Sequence, residues 1–327
     1  MIDPFGRAIS YVRISVTDRC NLRCAYCMPD GYLGGEKHED VLSYEEIARV
    51  AEAMVGLGVR KFRLTGGEPL VRRDLHILVR YLAAFPEVDD LALSTNAVLL
   101  RRQAKTLRDA GLKRVNISLD TLRPETFAKI SGNASLAEVL DGIAAAEEVG
   151  LSPIKLNTVV MKGVNDDEVE DLARLTLTRP WTIRFIEVMP MRQNPGKQAD
   201  QYVSSDDILA RLARVGRLFP VVRDANAGPA KEFFYEGAVG RVGFITPLSH
   251  TFCASCNRVR ITTTGKLRLC LFGEAGCDLR TPLRAGATAA DLRGIILEAL
   301  GRKPESHHLA LGYSGPEAPV TMSTIGG

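Results

Sequence analysis

The feature that most constrains this chain is an alternation repeated through its first 188 residues. Short β-rich runs end in polar or turn residues, and each gives way to a stretch with helical periodicity. Such a switch from period 2 to period 3.6, made again and again, is the pattern of βα units on a parallel sheet. The strands are expected at Tyr11–Val16, Lys61–Thr65, Leu91–Ser94, Arg114–Leu119, Ile154–Val160 and Thr182–Val188. Helices are expected at Ser43–Leu57, Arg73–Ala84, Leu99–Ala110, Ser135–Val149 and Asp166–Leu177. Ser43 with Glu46, and Ser135 with Glu138, have the spacing of capping boxes. Gly58, Gly111 and Gly150 stand where those helices stop, since glycine accepts the left-handed C-cap conformation without steric cost.

Six sequential βα units are too few for a closed eight-stranded barrel. They predict an α/β fold, either an incomplete (β/α)6 TIM-like barrel or a doubly wound open sheet. In both, ligands sit at the carboxyl ends of the strands. After Met189 the rhythm breaks at a loop around Asn194, Pro195, Gly196 and Lys197. A helix at Ser205–Val215 follows, then short strand-like runs at Leu218–Arg223, Glu232–Tyr235, Val242–Ile245 and Arg258–Thr263. The division expected is therefore residues 1–200 for the partial barrel and 201–327 for a smaller α+β C-terminal domain. From about Pro304 the chain is rich in Gly, Pro, Ser and Thr and reads as an extended tail.

Composition excludes several classes. The 327 residues carry a formal net charge of only +3, so no global field favours DNA or an anionic membrane. Nucleic acid is not an expected partner, because aromatic residues are sparse and no run of Lys or Arg stands out. The N-terminus lacks the apolar run of a secretory signal, and no stretch approaches the ~20 apolar residues that span a bilayer. The sequence thus reads as cytoplasmic and free of membrane partners. In a reducing compartment, the seven cysteines point to metal rather than disulfides, since six fall into two tight groups. Cys277 stands apart.

Cys20, Cys24 and Cys27 form C-x3-C-x2-C directly after the first strand. Three thiolates can grip three corners of a cubane, whereas a [4Fe–4S] cluster normally takes four. The remaining iron is then open to an outside ligand. Structural zinc prefers four ligands in paired C-x2-C spacing, and this loop supplies no fourth. With Tyr26 just before the third cysteine, the loop resembles that of the radical S-adenosylmethionine superfamily. The resemblance implies that the open iron chelates the amino and carboxylate groups of the methionine moiety.

The other strand ends extend the likeness. Thr65-Gly66-Gly67-Glu68-Pro69, one βα unit later, is similar to the superfamily's GGEP segment, and its glycines would let backbone approach the methionine end of the ligand. The resemblance assigns Tyr26, Gly67, Ser118 and Met189 to S-adenosylmethionine.

Cys253, Cys256 and Cys270 make a second triplet. By spacing alone, zinc with His250 as fourth ligand competes evenly with a second cubane. The run CASCNRVRITTTGKLRLCL, from Cys253 to Leu271, resembles the second-cluster segment of the GTP 3′,8-cyclases of molybdenum cofactor biosynthesis. That family uses a second three-cysteine [4Fe–4S] cluster whose open iron meets guanine. Arg258 and Arg260 alternate along a strand, so their guanidinium groups face one side and suit phosphate oxygens. The resemblance implies a GTP site of Arg13, Arg63, Ser94, Lys155, Arg184, Arg258, Val259 and Arg260. Arg13, Arg258 and Arg260 would serve catalysis, with the terminal Gly326 and Gly327 reaching into the site. Ser94 and Ala97 depart from the family's commoner threonine and glycine in the TTNG turn.

By this resemblance an electron from the first cluster splits S-adenosylmethionine into methionine and a 5′-deoxyadenosyl radical. The radical takes the 3′ hydrogen of the GTP ribose, and the carbon radical attacks C8 of guanine. The cofactors expected are two [4Fe–4S] clusters and S-adenosylmethionine; the partners are GTP, a low-potential electron donor and a second copy of the chain in a homodimer. The rivals are a peptide-modifying radical enzyme with an auxiliary cluster and a non-catalytic zinc or iron–sulfur nucleic-acid-binding protein.

Overall fold

The computed structural model describes residues 1–28, 35–132, 134–189, 199–222, 228–273, 275–307, 309 and 325. The six expected strands form as β1 (Tyr11–Ser15), β2 (Lys61–Thr65), β3 (Asp90–Thr95), β4 (Arg114–Ser118), β5 (Lys155–Val160) and β6 (Thr182–Glu187). Each pairs in parallel with the next. Helices α1 (Tyr44–Gly56), α2 (Leu75–Ala83) and α3 (Leu100–Asp109) follow the first three strands, α4 (Pro124–Ser131) and α5 (Leu136–Glu148) the fourth, and α6 (Val169–Thr178) the fifth.

The expected caps divide. At α1 the Ser43 side chain accepts from Glu46 N at 3.1 Å while the Glu46 carboxylate accepts from Ser43 N at 2.7 Å. Ser135 makes no such bond at α5. Gly58, Gly111 and Gly150 all have positive φ. Helix α4 was not anticipated, although Pro124 in its first turn and Gly132 at φ +77° after its last are the usual marks of a helix start and stop.

The C-terminal segment is mixed α+β, as expected, and its strands extend the sheet of the first six. It supplies α7 (Ser205–Leu212), β7 (Leu218–Pro220), β8 (Lys231–Tyr235), β9 (Arg241–Ile245), β10 (Arg258–Ile261), β11 (Lys266–Arg268), β12 (Gly276–Asp278), α8 (Arg280–Arg284) and α9 (Ala289–Leu300). All its strands join the same twelve-stranded sheet, in the order β12-β11-β10-β1-β2-β3-β4-β5-β6-β9-β8-β7. Strand β10 pairs in parallel with β1, and β9 in parallel with β6. The two ends carry antiparallel wings and do not pair with each other, so the barrel stays open.

A parallel sheet covered on both faces usually reads as continuous apolar runs. Here the strands alternate instead. Val12, Ile14, Phe62, Leu64, Leu91, Leu93, Val115, Ile117, Ile183, Phe185, Val242, Phe244, Val259 and Ile261 belong to one apolar core. A side chain as buried as Phe62 or Leu64 contributes roughly 1.5–3 kcal/mol. The intervening Arg13, Arg63, Asn157, Arg184 and Arg260 turn to the opposite face and line a cavity. No described helix is long and apolar enough to cross a membrane.

Candidate active site

The first cysteine loop leaves the end of β1 and is tied down on two sides. Gly67 N donates to Thr17 O and Glu68 N to Arg19 O, both at 2.8 Å. On the other side, Ala25 N donates to Ile130 O at 2.9 Å and Arg23 N to Ser131 O at 3.0 Å, which fixes the loop to the end of α4. A Cβ at Gly66 would stand 2.1 Å from Thr17 O, and one at Gly67 2.3 Å from Arg19 O. The space the two glycines leave open is therefore filled first by the cysteine loop itself, and the Gly67 N–H is committed to it. Gly67 still borders the cavity.

Buried Glu68 clamps the next strand end, accepting from Thr95 Oγ1 and Asn96 N at 2.7 Å and from Leu70 N at 3.1 Å. Burial pushes its carboxyl up to about 7, opposed by those three donors, all of which favour the carboxylate. Asn96 in turn reaches Cys20 Sγ at 3.9 Å. Burial pushes the Cys24 thiol well above its ordinary range, with further upward pressure from Asp120, Cys27 and Cys20. Each of the other two thiols thus lies within electrostatic reach of Cys24. Among the described residues no His, Cys, Asp or Glu group converges on a single-ion site. Three soft thiols at one cavity wall, with Cys24 in reach of the other two, fit three corners of a cubane.

The second triplet begins just before β10, which carries it to the edge of β1. Arg7 donates to Cys253 O at 2.9 Å and to Pro304 O and Glu305 O at 2.6 Å, while Lys303 Nζ reaches Arg258 O at 3.1 Å. Two buried cations thereby hold the cysteine loop and the start of the tail. Burial opposes the Cys256 thiolate, but Arg258 and Lys303 bring its pKa below the ordinary value, which favours the ligating form. His250, the candidate zinc ligand, is half-exposed and pairs with Asp206 at 3.0 Å, outside the cavity lining. That removes His250 as a fourth ligand beside the second triplet.

Both triplets open onto one cavity of about 300 Å³. Its wall includes all six cysteines, and also Tyr26, Gly67, Ser118, Met189, Arg13, Arg63, Ser94, Arg184, Arg258, Val259 and Arg260. Val259 lines it although its side chain belongs to the apolar core. Lys155 stands outside this lining and pairs with Glu232 at 3.8 Å. Gly326 and Gly327 lie outside the described residues; the neighbouring Ile325 carbonyl is 3.4 Å from Arg260 Nη1. Cys277 sits opposite Leu267 on β12, away from the cavity. Ala97 holds φ +64°, a left-handed conformation in which glycine would be free of strain.

The wall is a concentration of buried positive charge. In the strand register Arg13 is flanked by Arg260 on one side and Arg63 on the other. Burial, reinforced by Arg260, lowers Arg13 to about 9, and burial with Arg258 lowers Arg260 to about 10. Burial also lowers Arg63 and Arg184. Among the described residues, the buried Arg63 Nε, Arg184 Nε, Ser94 Oγ and Asn157 Oδ1 have no hydrogen-bond partner. Buried cations and orphaned polar atoms around one cavity mark a site shaped for a polar, anionic ligand.

Sequence reasoning missed several wall residues. Asp120 accepts from Tyr26 Oη at 2.9 Å and from Val159 N at 2.8 Å, holding the aromatic ring beside the first triplet. Asn157 and Tyr11 also face the cavity. Their signal was the strand alternation itself, since each lies an even number of residues from an assigned inward residue on its own strand. His307 and Phe272, in edge contact at 4.7 Å, come from segments without such a pattern.

Comparison with known proteins agrees with this geometry. Residues 14–176 match the radical SAM superfamily and residues 181–309 the Molybdenum Cofactor Synthesis C family. The GTP 3′,8-cyclases of Pelotomaculum thermopropionicum and Moorella thermoacetica are 46% and 47% identical over the full length of both chains. That of Geobacter sulfurreducens is 46% identical over all of this chain and 99% of its own. Among solved structures, Streptococcus suis SuiB bound to S-adenosylmethionine superposes with a TM-score of 0.61 at 15% identity, over 88% of this chain and 68% of that one. This last likeness shows the shared fold. Full-length identity at this level, on a radical SAM fold with both cysteine triplets in place, shows that the chain belongs to the GTP 3′,8-cyclase family.

Proposed function

We propose that this chain converts GTP to 3′,8-cyclo-7,8-dihydro-GTP, the first step of molybdenum cofactor biosynthesis. The observation that carries the reading is that two cysteine triplets and a group of buried arginines share one cavity. Cys20, Cys24 and Cys27 would hold a [4Fe–4S] cluster, with S-adenosylmethionine beside Tyr26, Gly67, Ser118 and Met189. Cys253, Cys256 and Cys270 would hold a second [4Fe–4S] cluster facing the guanine. Bound together, the first cluster and S-adenosylmethionine supply a carbon-centred radical able to take a ribose hydrogen.

The chain's own part is to position and to exclude. Arg13, Arg63, Arg184, Arg258 and Arg260, with Lys155 beyond the wall, would neutralise the triphosphate. Ser94 and the Val259 backbone would complete the nucleotide contacts, and Gly326 and Gly327 would enter from the tail. Such anchoring at both ends supports a near-attack arrangement with the ribose and base carbons ~3–3.5 Å apart. The Tyr26–Asp120 bond fixes a ring beside the first triplet, which restricts water and stray C–H donors near the reacting carbons. Residues 1–200 would carry the radical chemistry, and 201–327 the second cluster and much of the nucleotide grip. A homodimer, a low-potential electron donor and a cytoplasmic location complete the reading.

The test is to incubate the reduced, reconstituted protein with S-adenosylmethionine and GTP carrying deuterium at C3′. Deuterium in the 5′-deoxyadenosine produced is expected. Cleavage that leaves GTP intact and the deoxyadenosine unlabelled would refute the assignment.

A further inference from the structure

One carboxylate lies among cations just behind the cavity wall, beside the wall residue Arg184. Glu232 stands 3.2 Å from Arg184 and 3.8 Å from Lys155 through Oε1, and 3.5 Å from Arg241 through Oε2. It reaches them across a neighbouring strand, because Gly243 of β9 lies between Glu232 of β8 and Arg184 of β6 in the register. A Cβ at Gly243 would already touch both side chains, at 3.4 Å from Glu232 Cγ and 3.5 Å from Arg184 Cγ. Any residue larger than alanine there would fill the gap through which the pair meets.

The charges around this point do not cancel. Two cations and the half-exposed Arg241 face one carboxylate, and Arg184 Nε has no partner among the described residues. The cluster can therefore accept more negative charge, yet any anion arriving at it meets a carboxylate already in place. Burial and Arg184 push Lys155 down to about 7, and Glu232 is the neighbour that opposes them. In the free protein this carboxylate is the counter-charge that faces both Lys155 and Arg184. An incoming chain of phosphates would need it least.

We propose that Glu232 is a resident counter-anion of the polyphosphate subsite, a positioning residue that preorganises Lys155 and Arg184 and weakens polyphosphate binding by competing for them. The inference rests on the reading of GTP as substrate, and it concerns polyphosphate as the ligand class. No bond is made or broken; the phosphate oxygens take over contacts that the carboxylate holds.

The sign of the effect separates this role from a structural one. Titration calorimetry would compare wild type with Glu232→Gln, both reconstituted and without reductant, using GTP, guanosine and inorganic tripolyphosphate. Glu232→Gln should bind GTP and tripolyphosphate about tenfold more tightly, an effect that shrinks as salt is raised, and guanosine unchanged. Glu232→Asp, which keeps the charge, should stay near wild type. Unchanged or weaker tripolyphosphate binding by Glu232→Gln would overturn the proposal, as would equal tightening of guanosine. Tighter tripolyphosphate with no GTP binding by either protein would uphold the counter-anion and refute the GTP reading instead.

Discussion

Replacing Arg63 by methionine should make the ligand-free protein more stable while it loses nucleotide. Arg63 is 9% exposed, its Nε has no partner among the described residues, and no described carboxylate pairs with it. Burial holds its pKa well below the ordinary arginine range; the Tyr11 ring, 5.3 Å away, opposes this, and Arg13, Arg114 and Arg184 add to it. An ion held this way costs several kcal/mol after relaxation and water entry. The cation–π contact with Tyr11 returns ~2 kcal/mol at most. Methionine has nearly the same reach and no charge, so the folded state should gain about 1–3 kcal/mol. That corresponds to a melting temperature higher by about 1.5 °C per kcal/mol for a chain of 327 residues. The assay is urea and thermal unfolding without nucleotide, paired with a GTP titration of the same samples. A variant no more stable than wild type, or one that binds GTP normally, would show that Arg63 is not a cation held in readiness for an anion.

Gly67→Ala should force the second turn away from the cysteine loop, breaking the two 2.8 Å backbone bonds there at a cost of about 2–4 kcal/mol; a wild-type iron content and unfolding midpoint would contradict it. Cys24→Ser should abolish reductive cleavage of S-adenosylmethionine, whereas Cys256→Ser should spare cleavage and remove the cyclised product, both read by chromatography of deoxyadenosine and nucleotide. Deleting Gly326 and Gly327 should leave iron content unchanged yet stop cyclisation, and normal turnover would show the tail to be dispensable. Because burial lowers Lys155 to about 7 in the free protein and a bound phosphate would raise it, GTP binding should take up a proton above pH 7 and weaken as pH rises. Calorimetry at pH 8 in buffers of different ionisation enthalpy measures that uptake, and its absence would mean that Lys155 does not meet the phosphates.

What the sequence alone determined was local. The six parallel strands, their glycine stops and the two cysteine triplets were all legible, because each is set by neighbours within a turn or a short loop. The alternation along β1 and β5 also held Tyr11 and Asn157, which follow the same rule once one inward residue on a strand is known. The tertiary structure alone decided that Arg258–Ile261 pairs with β1 and Arg241–Ile245 with β6, strands far apart in the chain. Hydrogen-bonded edges carry no sequence label, so a strand's partner depends on which free edge the whole chain leaves within reach. That choice put the second triplet on the same cavity as the first, sent His250 to Asp206, and opened the gap over Gly243 through which Glu232 meets Arg184.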